Sequence, residues 1–599
     1  MTGRQLLFDI ESNGLIFQIT KVHCIAVIDV LTDEEFFFGP ETISEGLALL
    51  YDADTLIGHN ILTYDLKALK KVHGWDPRPG TRRLDTLVVS RTMFPALRKE
   101  DAKRGPEWDT KLTGSHSLEA WGIRLGEHKA HYEGGWEEYS EEMGAYCRQD
   151  IKTNLRLLRH LKPWDYPQAP LDLEHRVVEI ITEIEEQGAP FDSPAGQELY
   201  STLVGKRDEL ERSLIAKFGT WKEIDRQFVA KRDNKPRGIT KGQTVTTWKD
   251  VVFNPGSRVH IEKKLREAGW KPTEFTPTGR AKIDDISLEG LSEEIPEAKD
   301  LIDYLLIQKR LGMLGDGDNA WLKLVDANGK IHANYLHMGT PHSRMAHTKP
   351  NIAQVPNAFS LYGKECRDLF RVPTGWTMVG SDLSGAQLRM LAHFIAAFDG
   401  GCYADIVLNG DIHTYHQQAA APLIKSRDNS KTTIYAKLFG AQAGRIAEIN
   451  KCSRKDGQKI LDLLTTKIPG LGKLEKAVKS ACGKGWLKGL DGRQIPVDSD
   501  RLGLNYLVTG AEAVLSKRWL VKFYDVMDFL GYRHGWDGDF VIMWHVHDEM
   551  GIAVRDGTIP PEDVGRIVVE CAKDAGEDLK LNIRIDAEYK IGKTWFDVH

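Results

Sequence analysis

The sequence predicts a multidomain protein that begins with an α/β domain and continues with α+β domains. Its 599 residues are more than a single hydrophobic core usually organises. The first part alternates strand-like and helix-like runs, beginning with the run 6–11, and this alternation is typical of an α/β domain. Two further strand-like runs, 378–382 and 541–546, lie far apart in the chain, and acidic residues stand at their ends. We therefore expect a later domain in which two buried strands present carboxylates at their tips.

The composition is that of a soluble globular protein, with 41% hydrophobic and 28% charged residues. The formal net charge of −6 argues weakly against nucleic-acid binding, but contact with DNA needs only a local basic surface. Seven scattered cysteines without a Cys-x-x-Cys pair indicate reduced cytosolic thiols and no structural zinc. Since we find neither a signal peptide nor an apolar run of membrane length, we expect no contact with a membrane.

Acidic residues of the first domain predict a cation site. Asp9 and Glu11 lie two residues apart on a predicted strand, so their carboxylates share one face of it. Asp65 follows at a strand-to-helix junction, and Asp150 lies one helical turn after Tyr146. Four acids on one α/β scaffold could bind two cations for phosphodiester hydrolysis, with Tyr146 positioning the attacking water. An Asp-x-Glu pair alone is also common on exposed strand ends, so the prediction depends on the ordered set.

A second cation site is predicted where the two later strands end. The first strand ends at Asp382, and the second belongs to a predicted hairpin whose turn carries Asp548 and Glu549. Two carboxylate tips side by side repel unless Mg²⁺ neutralises them, and such a pair can hold two metals about 3.5–4 Å apart. That arrangement suits in-line phosphoryl or nucleotidyl transfer. The alternative for either stretch alone is a solvated turn aspartate.

A helical segment between the two acidic stretches carries a stripe of cations and aromatic rings. Arg427, Lys431, Tyr435 and Phe439 recur every four residues and therefore lie on one face of a helix. Cations can bind a triphosphate while an aromatic ring supports a base or sugar. A solvated Arg/Lys stripe is the alternative, which the acidic stretches on either side make less plausible.

A polar stretch, 221–250, is predicted to be irregular. It is rich in lysine and arginine and contains few acids. The stretch is either a mobile loop that contacts the DNA backbone or a partner, or a solvated surface loop, and the sequence leaves these alternatives open.

The stretch that ends at Asp382, the helical stripe 427–439 and the hairpin with Asp548 resemble motifs A, B and C of family A DNA polymerases. The ordered acids of the first domain, together with Tyr146, resemble the motifs of DEDDy-type 3′–5′ exonucleases. The resemblance covers essentially the whole chain and is greatest to replicative DNA polymerases of T-seven-like short-tailed bacteriophages. It also includes segments 253–265, 411–413 and 592–599. The family's fold would be an RNase H-like exonuclease domain followed by a right hand of thumb, palm and fingers.

The resemblance implies a division of the chain at predicted breaks, the first of which is the proline-rich segment 163–170. The implied domains are an exonuclease domain (1–165), a thumb (166–330) with the short basic loop 222–250, a first part of the palm (331–400), fingers (401–480) and a second part of the palm (481–599).

The resemblance also implies roles for individual residues. The polymerase metals would be held by Asp382, Asp548 and the Leu383 carbonyl, and the exonuclease metals by Asp9, Glu11, Asp65 and Asp150. Glu549 would support the site near the primer terminus. The triphosphate would be contacted by His413, Arg427 and Lys431, and Lys431 is also the candidate acid for the departing pyrophosphate. Tyr435 would pack near the sugar and base. The residues implied in DNA contact are Asn254, Ser257, Arg258, Lys263, Lys264, Arg493 and His547.

Four positions depart from the family pattern. The family usually has a Glu and a Tyr, joined by a hydrogen bond, where this chain has Gln387 and Phe439 in the nucleotide site. Because both residues of the pair differ, neither the carboxylate nor the phenol of the family's hydrogen bond is left without its partner. Gln387 keeps nearly the bulk with which the Glu excludes a ribose 2′-hydroxyl. Phe359 and Thr509 replace an Arg and a Gln that, in the family, contact the minor groove at the primer terminus. We therefore do not transfer the family's fidelity and mismatch sensing to this chain.

The function implied is that of a DNA-templated DNA polymerase with a proofreading 3′–5′ exonuclease. Two Mg²⁺ are expected in each site, and Mn²⁺ is expected to substitute. Expected partners are primer-template DNA, dNTPs, a phage helicase-primase and a single-stranded DNA-binding protein, in the cytoplasm of the infected bacterium. Thioredoxin is not expected, since relatives that recruit it carry a much longer insertion at 222–250. Two alternatives are a single-subunit RNA polymerase and a repair nuclease with a degenerate polymerase half.

Overall fold

Two β-sheets, far apart in the chain, organise the molecule. The computed structural model describes residues 3–127, 132–272, 275–276, 278–291 and 294–599. The first sheet lies in the N-terminal part and the second collects strands from residues 376–592. The predicted combination of α/β and α+β domains is confirmed by this arrangement.

The N-terminal sheet has five strands in the order β3-β2-β1-β4-β5. They are β1 (Gln5–Ser12), β2 (Val22–Asp29), β3 (Glu35–Phe38), β4 (Thr55–Gly58) and β5 (Arg82–Asp85). β1 pairs antiparallel with β2 and parallel with β4, so it lies at the centre of the sheet. The helices of this part are α1 (Ile43–Tyr51), α2 (Asp65–His73), α3 (Thr86–Met93), α4 (Leu97–Asp101), α5 (Leu118–Leu125) and α6 (Glu141–Leu161).

A helical region with one long hairpin follows. Its helices are α7 (Gln168–Gln187), α8 (Ser193–Phe218), α9 (Arg258–Glu267), α10 (Asp285–Glu289), α11 (Glu297–Leu311) and α12 (Trp321–Leu324). Its strands are the short β6 (Ala189–Pro190), which pairs with β9 (Lys330–Ile331), and the hairpin strands β7 (Thr220–Val229) and β8 (Thr244–Val252).

The hairpin contradicts the prediction that 221–250 is irregular. β7 and β8 pair over their whole lengths, with one bulge between Ile224 and Arg226. The segment contains many β-branched and aromatic residues, which favour extended pairing, and the interleaved charges conceal that pattern. We call residues 220–252 the β7–β8 hairpin. Nearly all of its side chains are exposed or only partly buried.

The middle of the chain is again mostly helical. Before it come β10 (Asn334–Leu336), β11 (Ala346–Thr348), α13 (Gly363–Asp368) and β12 (Trp376–Leu383). The helices that follow are α14 (Ala386–Asp399), α15 (Cys402–Asn409), α16 (Ile412–Ala419), α17 (Arg427–Leu438), α18 (Ala443–Ile449), α19 (Arg454–Lys467) and α20 (Leu471–Cys482). A small hairpin of β13 (Trp486–Lys488) and β14 (Gln494–Pro496) ends this region.

The second sheet is antiparallel and has the order β15-β16-β12-β17. Its remaining elements are α21 (Asp500–Phe529), β15 (Phe540–Val546), β16 (Glu549–Arg555), α22 (Pro561–Asp578) and β17 (Ala587–Gly592). β15 and β16 form the predicted hairpin, in which the Trp544 ring lies so close to Gly551 that a Cβ there would be 2.1 Å from it. None of the described helices is both long and apolar enough to cross a membrane.

Candidate active sites

The two predicted carboxylate tips of the second sheet lie side by side. Asp382 stands near the end of β12, the strand between β16 and β17, opposite Glu549 on one side and Glu588 on the other. The Leu383 N–H donates a 3.0 Å hydrogen bond to the Asp548 carbonyl, which ties the strand end to the β15–β16 turn. In that turn His547 has a left-handed backbone (φ 58°), which reverses the chain within two residues.

The site concentrates negative charge. Burial, followed by the charges of Asp548 and Glu549, raises the pKa of Asp382 to about 8. Burial also raises the pKa of Asp548, against the opposing effect of Arg344. The Asp382 and Asp548 carboxylates and the Leu383 carbonyl are all hard oxygen donors, the type that Mg²⁺ prefers. The uncompensated charge and the donor type therefore fit a divalent cation.

Glu549 points into the interior of its domain. Its carboxylate accepts a hydrogen bond from the Trp595 indole N–H, lies 3.8 Å from the Arg367 guanidinium and lies 3.4 Å from the His599 ring. Only 9% of the residue is exposed. Its carboxylate is therefore held by side chains from the C-terminal half of the chain, in keeping with a supporting position beside Asp548.

Helix α17 presents the predicted stripe of cations and rings. Ser426 caps the helix by accepting a hydrogen bond from the Asn429 N–H. Arg427 and Lys431 are exposed, Tyr435 is half-buried, and Phe439 follows the last turn with 44% of its surface exposed.

A neighbouring helix adds a histidine to this stripe. Asp411 caps α16 and also binds Arg427 of α17 at 2.8 Å, so one carboxylate positions both helix starts. The His413 and Tyr435 ring centres are 6.3 Å apart. Burial and the charges of Arg427 and Lys431 lower the pKa of His413, so its imidazole is neutral at neutral pH. The surface combines two cations with a neutral ring and a phenol.

A further carboxylate, which the sequence did not indicate, lies between α14 and α21. Glu512 of α21 is only 2% exposed. It accepts hydrogen bonds from Arg344 at 2.5 Å and from the Gln387 amide at 3.5 Å. Its charge contributes to the raised pKa values of Asp382 and Tyr435, so it belongs to the same charged site. The one sequence signal was a single charged residue within the otherwise uncharged run 507–515.

The N-terminal sheet holds the second candidate site. Ligand atoms of Asp9, Glu11 and Cys147 lie within 4.8 Å of one another, and within the described part of the chain no other group of three His, Cys, Asp or Glu residues does so. The two carboxylates extend from one face of β1, as predicted. Burial is the main cause that raises the pKa of the Cys147 thiol, which therefore stays protonated and is a poor ligand for a hard cation.

The other predicted residues of this site are arranged around the pair. Asp150 lines the same cleft as Asp9. Asp65 is almost completely buried, and burial together with the neighbouring Asp85 raises its pKa to about 7. The Tyr146 ring packs against the rings of Tyr132 and Trp136, with centre distances of 5.7 and 6.4 Å.

One tyrosine near the acids of this site was missed by the sequence analysis. The Tyr64 hydroxyl forms a hydrogen bond with Ser12 and donates one to the Gly14 carbonyl at 2.5 Å. Burial raises its pKa, and the charges of Asp65, Glu11 and Asp9 raise it further, so its hydroxyl lies near all three acids. Its position directly before Asp65 was the available signal.

Arg493, predicted to contact DNA, is instead buried in an ionic cluster. The Glu174 carboxylate of α7 forms ion pairs with Arg493 and Lys517, each at 2.7 Å, and lies 2.9 Å from the His337 ring. Arg493 also binds Asp491 at 2.7 Å. Although burial acts to raise it, the pKa of Glu174 is held far below its ordinary value by Lys517 and Arg493. The Arg493 prediction is wrong because a side chain with 1% exposure and two carboxylate partners cannot reach DNA. We call this set the Glu174 cluster.

The other predicted DNA contacts lie near α9 and in the β15–β16 turn. Arg258 and His547 are exposed. Asn254 and Ser257 stabilise the start of α9, since Asn254 accepts from the Gly256 N–H and Ser257 caps the helix.

The two lysines of this set lie on α9 against the β7–β8 hairpin. The amines of Lys263 and Lys264 each lie 4.7 Å from the centre of the Trp221 ring. Lys263 also binds Glu223 at 3.4 Å.

The two positions where minor-groove readers are replaced differ strongly in exposure. Phe359 is 97% exposed. Thr509 is only 3% exposed, and its hydroxyl donates to the Asn505 side chain at 2.8 Å. Of the two side chains, only that of Phe359 is exposed to solvent.

Comparisons with known proteins identify the family of this chain. The family model described as DNA polymerase family A matches residues 233–597. Proteins of Enterobacteria phage T3 and Escherichia phage T7, each described as a DNA-directed DNA polymerase, are 34% identical over 711 aligned positions, covering 99% of this chain and 100% of each relative. The alignments are longer than this chain of 599 residues, so both relatives carry segments absent here. The POL domain of Pol1 from M. smegmatis, in complex with DNA primer-template and dNTP, has a similar fold, with a TM-score of 0.73 at 17% identity over 99% of this chain and 95% of that chain.

Proposed function

Because the chain belongs to DNA polymerase family A and is a DNA-directed DNA polymerase, we propose that Asp382 and Asp548 form its polymerase centre. The observation that carries this assignment is the pairing of the β12 end with the β15–β16 turn, which places both carboxylates in one charged site. Enzymes of this family use divalent metals, generally Mg²⁺. We propose two ions in this site, held by Asp382, Asp548 and the Leu383 carbonyl. Bound there, the ions would neutralise the carboxylates and the charge that develops on the reacting phosphate.

In the reaction, the primer 3′-hydroxyl loses its proton to water and its oxygen forms a bond to the α-phosphorus of the dNTP, while the bond to the bridging oxygen of pyrophosphate breaks. We assign the triphosphate contacts to Arg427, Lys431 and His413, whose side chains share the surface of α16 and α17. Lys431 supplies the proton that leaves with pyrophosphate. Tyr435, half-buried one helical turn after Lys431 on α17, faces the sugar and base.

We propose a 3′–5′ exonuclease centre in the N-terminal sheet. Asp9, Glu11 and Asp150 would hold divalent cations from the shared cleft, and Asp65 would join them in ionised form. Cation binding favours that ionisation because a nearby positive charge lowers a carboxyl pKa. Tyr146, one helical turn before Asp150 on α6, would orient the water that attacks the terminal phosphodiester. Two ions are proposed here as well, with Mn²⁺ able to replace Mg²⁺.

The domain division that the family resemblance implies accommodates these two centres. We propose an exonuclease domain over 1–165, a thumb over 166–330, palm segments over 331–400 and 481–599, and fingers over 401–480. On this division, the primer terminus is extended at the second sheet and hydrolysed at the first.

The β7–β8 hairpin is the proposed contact of the thumb with the DNA backbone. Residues 220–252 contain eight Lys or Arg against four Asp or Glu, and the tip, 230–243, contains five against one. Apart from Ala230, the side chains of this tip are exposed or partly buried. Phosphate contacts of this type require positive charge without sequence readout.

Salt dependence tests the hairpin contact. Replacing Lys231, Arg232, Lys235, Arg237 and Lys241 by Ser should weaken primer-template binding and reduce the slope of log K against log salt by about 0.9 for each lost phosphate contact. The matched control replaces the exposed cross-strand pair Ile224 and Trp248 by Ser and Thr. An unchanged slope in the tip variant, or a changed slope only in the control, would favour a protein partner over DNA.

The setting of the reaction is proposed from the phage relatives. We infer that the enzyme replicates phage DNA in the cytoplasm of an infected bacterium, together with a helicase-primase and a single-stranded DNA-binding protein. The T3 and T7 relatives support the bacteriophage origin.

Primer extension with dNTPs or rNTPs, with and without Mg²⁺, tests the proposed function. We expect extension with dNTPs only when Mg²⁺ is present, and much weaker extension with rNTPs. Preferential use of rNTPs would indicate an RNA polymerase. Degradation without extension would indicate a nuclease with an inactive polymerase half.

A further inference from the structure

Helix α21 buries an acidic residue in the middle of a continuously buried segment. Glu512 is 2% exposed, and the neighbouring residues 507–511 and 513–517 are buried as well. A buried carboxylate is unfavourable unless cations or hydrogen-bond donors compensate it. Here the compensation comes from Arg344 and from the Gln387 amide.

The contact with Gln387 fixes the orientation of that amide. The ionised Glu512 carboxylate can only accept hydrogen bonds, so it selects the NH₂ end of Gln387 and repels the carbonyl end. Gln387 lies in the first turn of α14, immediately after the strand that carries Asp382. From this position on α14, the Gln387 side chain can reach the proposed nucleotide site beside Asp382 if a partner fixes its orientation. Arg344 donates to the same Glu512 oxygen, Oε2, so one carboxylate oxygen connects the guanidinium to the amide.

We propose that Glu512 is a positioning residue for nucleotide selection, which holds Gln387 against the sugar of the incoming dNTP and thereby excludes ribonucleotides. The carboxylate acts from α21 and reaches the sugar only through Gln387. This inference rests on the proposed placement of Gln387 beside the sugar, and it does not depend on the assignment of the metal ligands.

The proposal predicts a particular pattern of sugar selectivity. Selectivity is measured as the ratio of kcat/KM for a dNTP to kcat/KM for the matching rNTP. E512A removes the acceptor and frees Gln387 to rotate, so the ratio should fall about tenfold, the effect of one charge-assisted hydrogen bond. E512Q keeps an acceptor for the amide but loses the charge, so its ratio should fall less, by about threefold.

A double mutant separates positioning from general stability. Q387A removes the group through which Glu512 acts, so Q387A and the double mutant Q387A/E512A should have the same low ratio. The control is D525N, which removes another carboxylate of α21 that binds Arg176, and its ratio should equal that of the wild type. A merely structural role of Glu512 would lower dNTP and rNTP use equally and would add to the effect of Q387A.

Two results would overturn the proposal: an unchanged ratio in E512A, or additive effects in the double mutant. If E512A does not fold, E512Q replaces it, and an unchanged ratio in E512Q is equally contrary. A wild type that extends no primer with dNTPs would instead contradict the proposed function, so the two failures are distinguishable.

Discussion

Substitution of Gln387 by Glu would place a second carboxylate beside Glu512. At the 3.5 Å that separates the Gln387 amide nitrogen from the Glu512 oxygen, two unit charges repel by about 5 kcal/mol at an effective dielectric constant of about 20. The variant can avoid this repulsion in two ways. It can protonate one carboxyl, or it can turn the new carboxylate into the nucleotide space, where the charge repels the triphosphate.

Protonation limits the size of the effect. Burial raises the pKa of Glu512 to about 6 against the opposing effect of Arg344. Holding its proton at a pH of about 7.5 therefore requires about 2 kcal/mol, which corresponds to a loss of about 30-fold in kcat/KM for a dNTP. The free energy needed to keep Glu512 protonated increases by about 1.4 kcal/mol for each further pH unit and vanishes near a pH of about 6. The activity of Q387E relative to wild type should therefore fall as the pH rises.

Single-nucleotide incorporation from a pH of about 6 to about 8.5 measures this dependence. Q387M, which keeps the length of the side chain but adds no charge, is the matched control, and its activity relative to wild type should not vary with pH. The exchange Q387E/E512Q restores one carboxylate and one amide, so it should recover most of the loss. A pH-independent loss in Q387E, without recovery in the exchange, would refute the contact with Glu512 as its cause.

The remaining predictions concern the two catalytic centres and the sugar-facing tyrosine. D9A/E11A should abolish 3′ degradation and leave extension nearly intact, because the acids lie in different sheets from Asp382; loss of both activities in a folded variant would contradict the two-centre assignment. D382N or D548N should reduce extension by about three orders of magnitude or more, as expected for loss of a charged ligand, with DNA binding by gel shift little changed. Substantial residual extension in both variants would remove these residues from the centre. The wild type should be terminated readily by dideoxynucleotides while Y435F resists them, since the Tyr hydroxyl can supply the contact otherwise made by a substrate 3′-hydroxyl. Equal termination of both proteins would show that Tyr435 does not face the sugar.

The carboxylate tips were predictable because their pattern is local. Apolar runs that end at Asp382 and Asp548 specify buried strands with polar ends, and the hairpin of β15 and β16 follows from the same pattern. The spacing of Arg427, Lys431 and Tyr435 likewise specifies one face of α17. These features depend on neighbours within a few residues, which a single sequence displays.

The incorrect or missed features depend on distant partners. Arg493 is an unremarkable surface-type residue in the sequence, and only the approach of Glu174, 319 positions earlier, shows that it is buried. Glu512 contacts Arg344, 168 positions earlier, and no local pattern connects them. Gln387 replaces a family Glu whose partner lies at position 439, whereas its own hydrogen bond runs to Glu512 on α21, 125 positions later. The β7–β8 hairpin was concealed by its charges, although its pairing residues were present.

The Glu174 cluster also constrains the order in which the chain assembles during translation. Glu174 is synthesised 319 residues before Arg493 and 343 residues before Lys517. At about 5–20 residues per second, this interval is on the order of half a minute, during which the carboxylate has no cation from the C-terminal part. Burying it early would leave an uncompensated charge, which typically costs about 3–5 kcal/mol. The N-terminal sheet can therefore complete its own core first, while the docking of α7 against α21 waits until nearly the whole protein has left the ribosome.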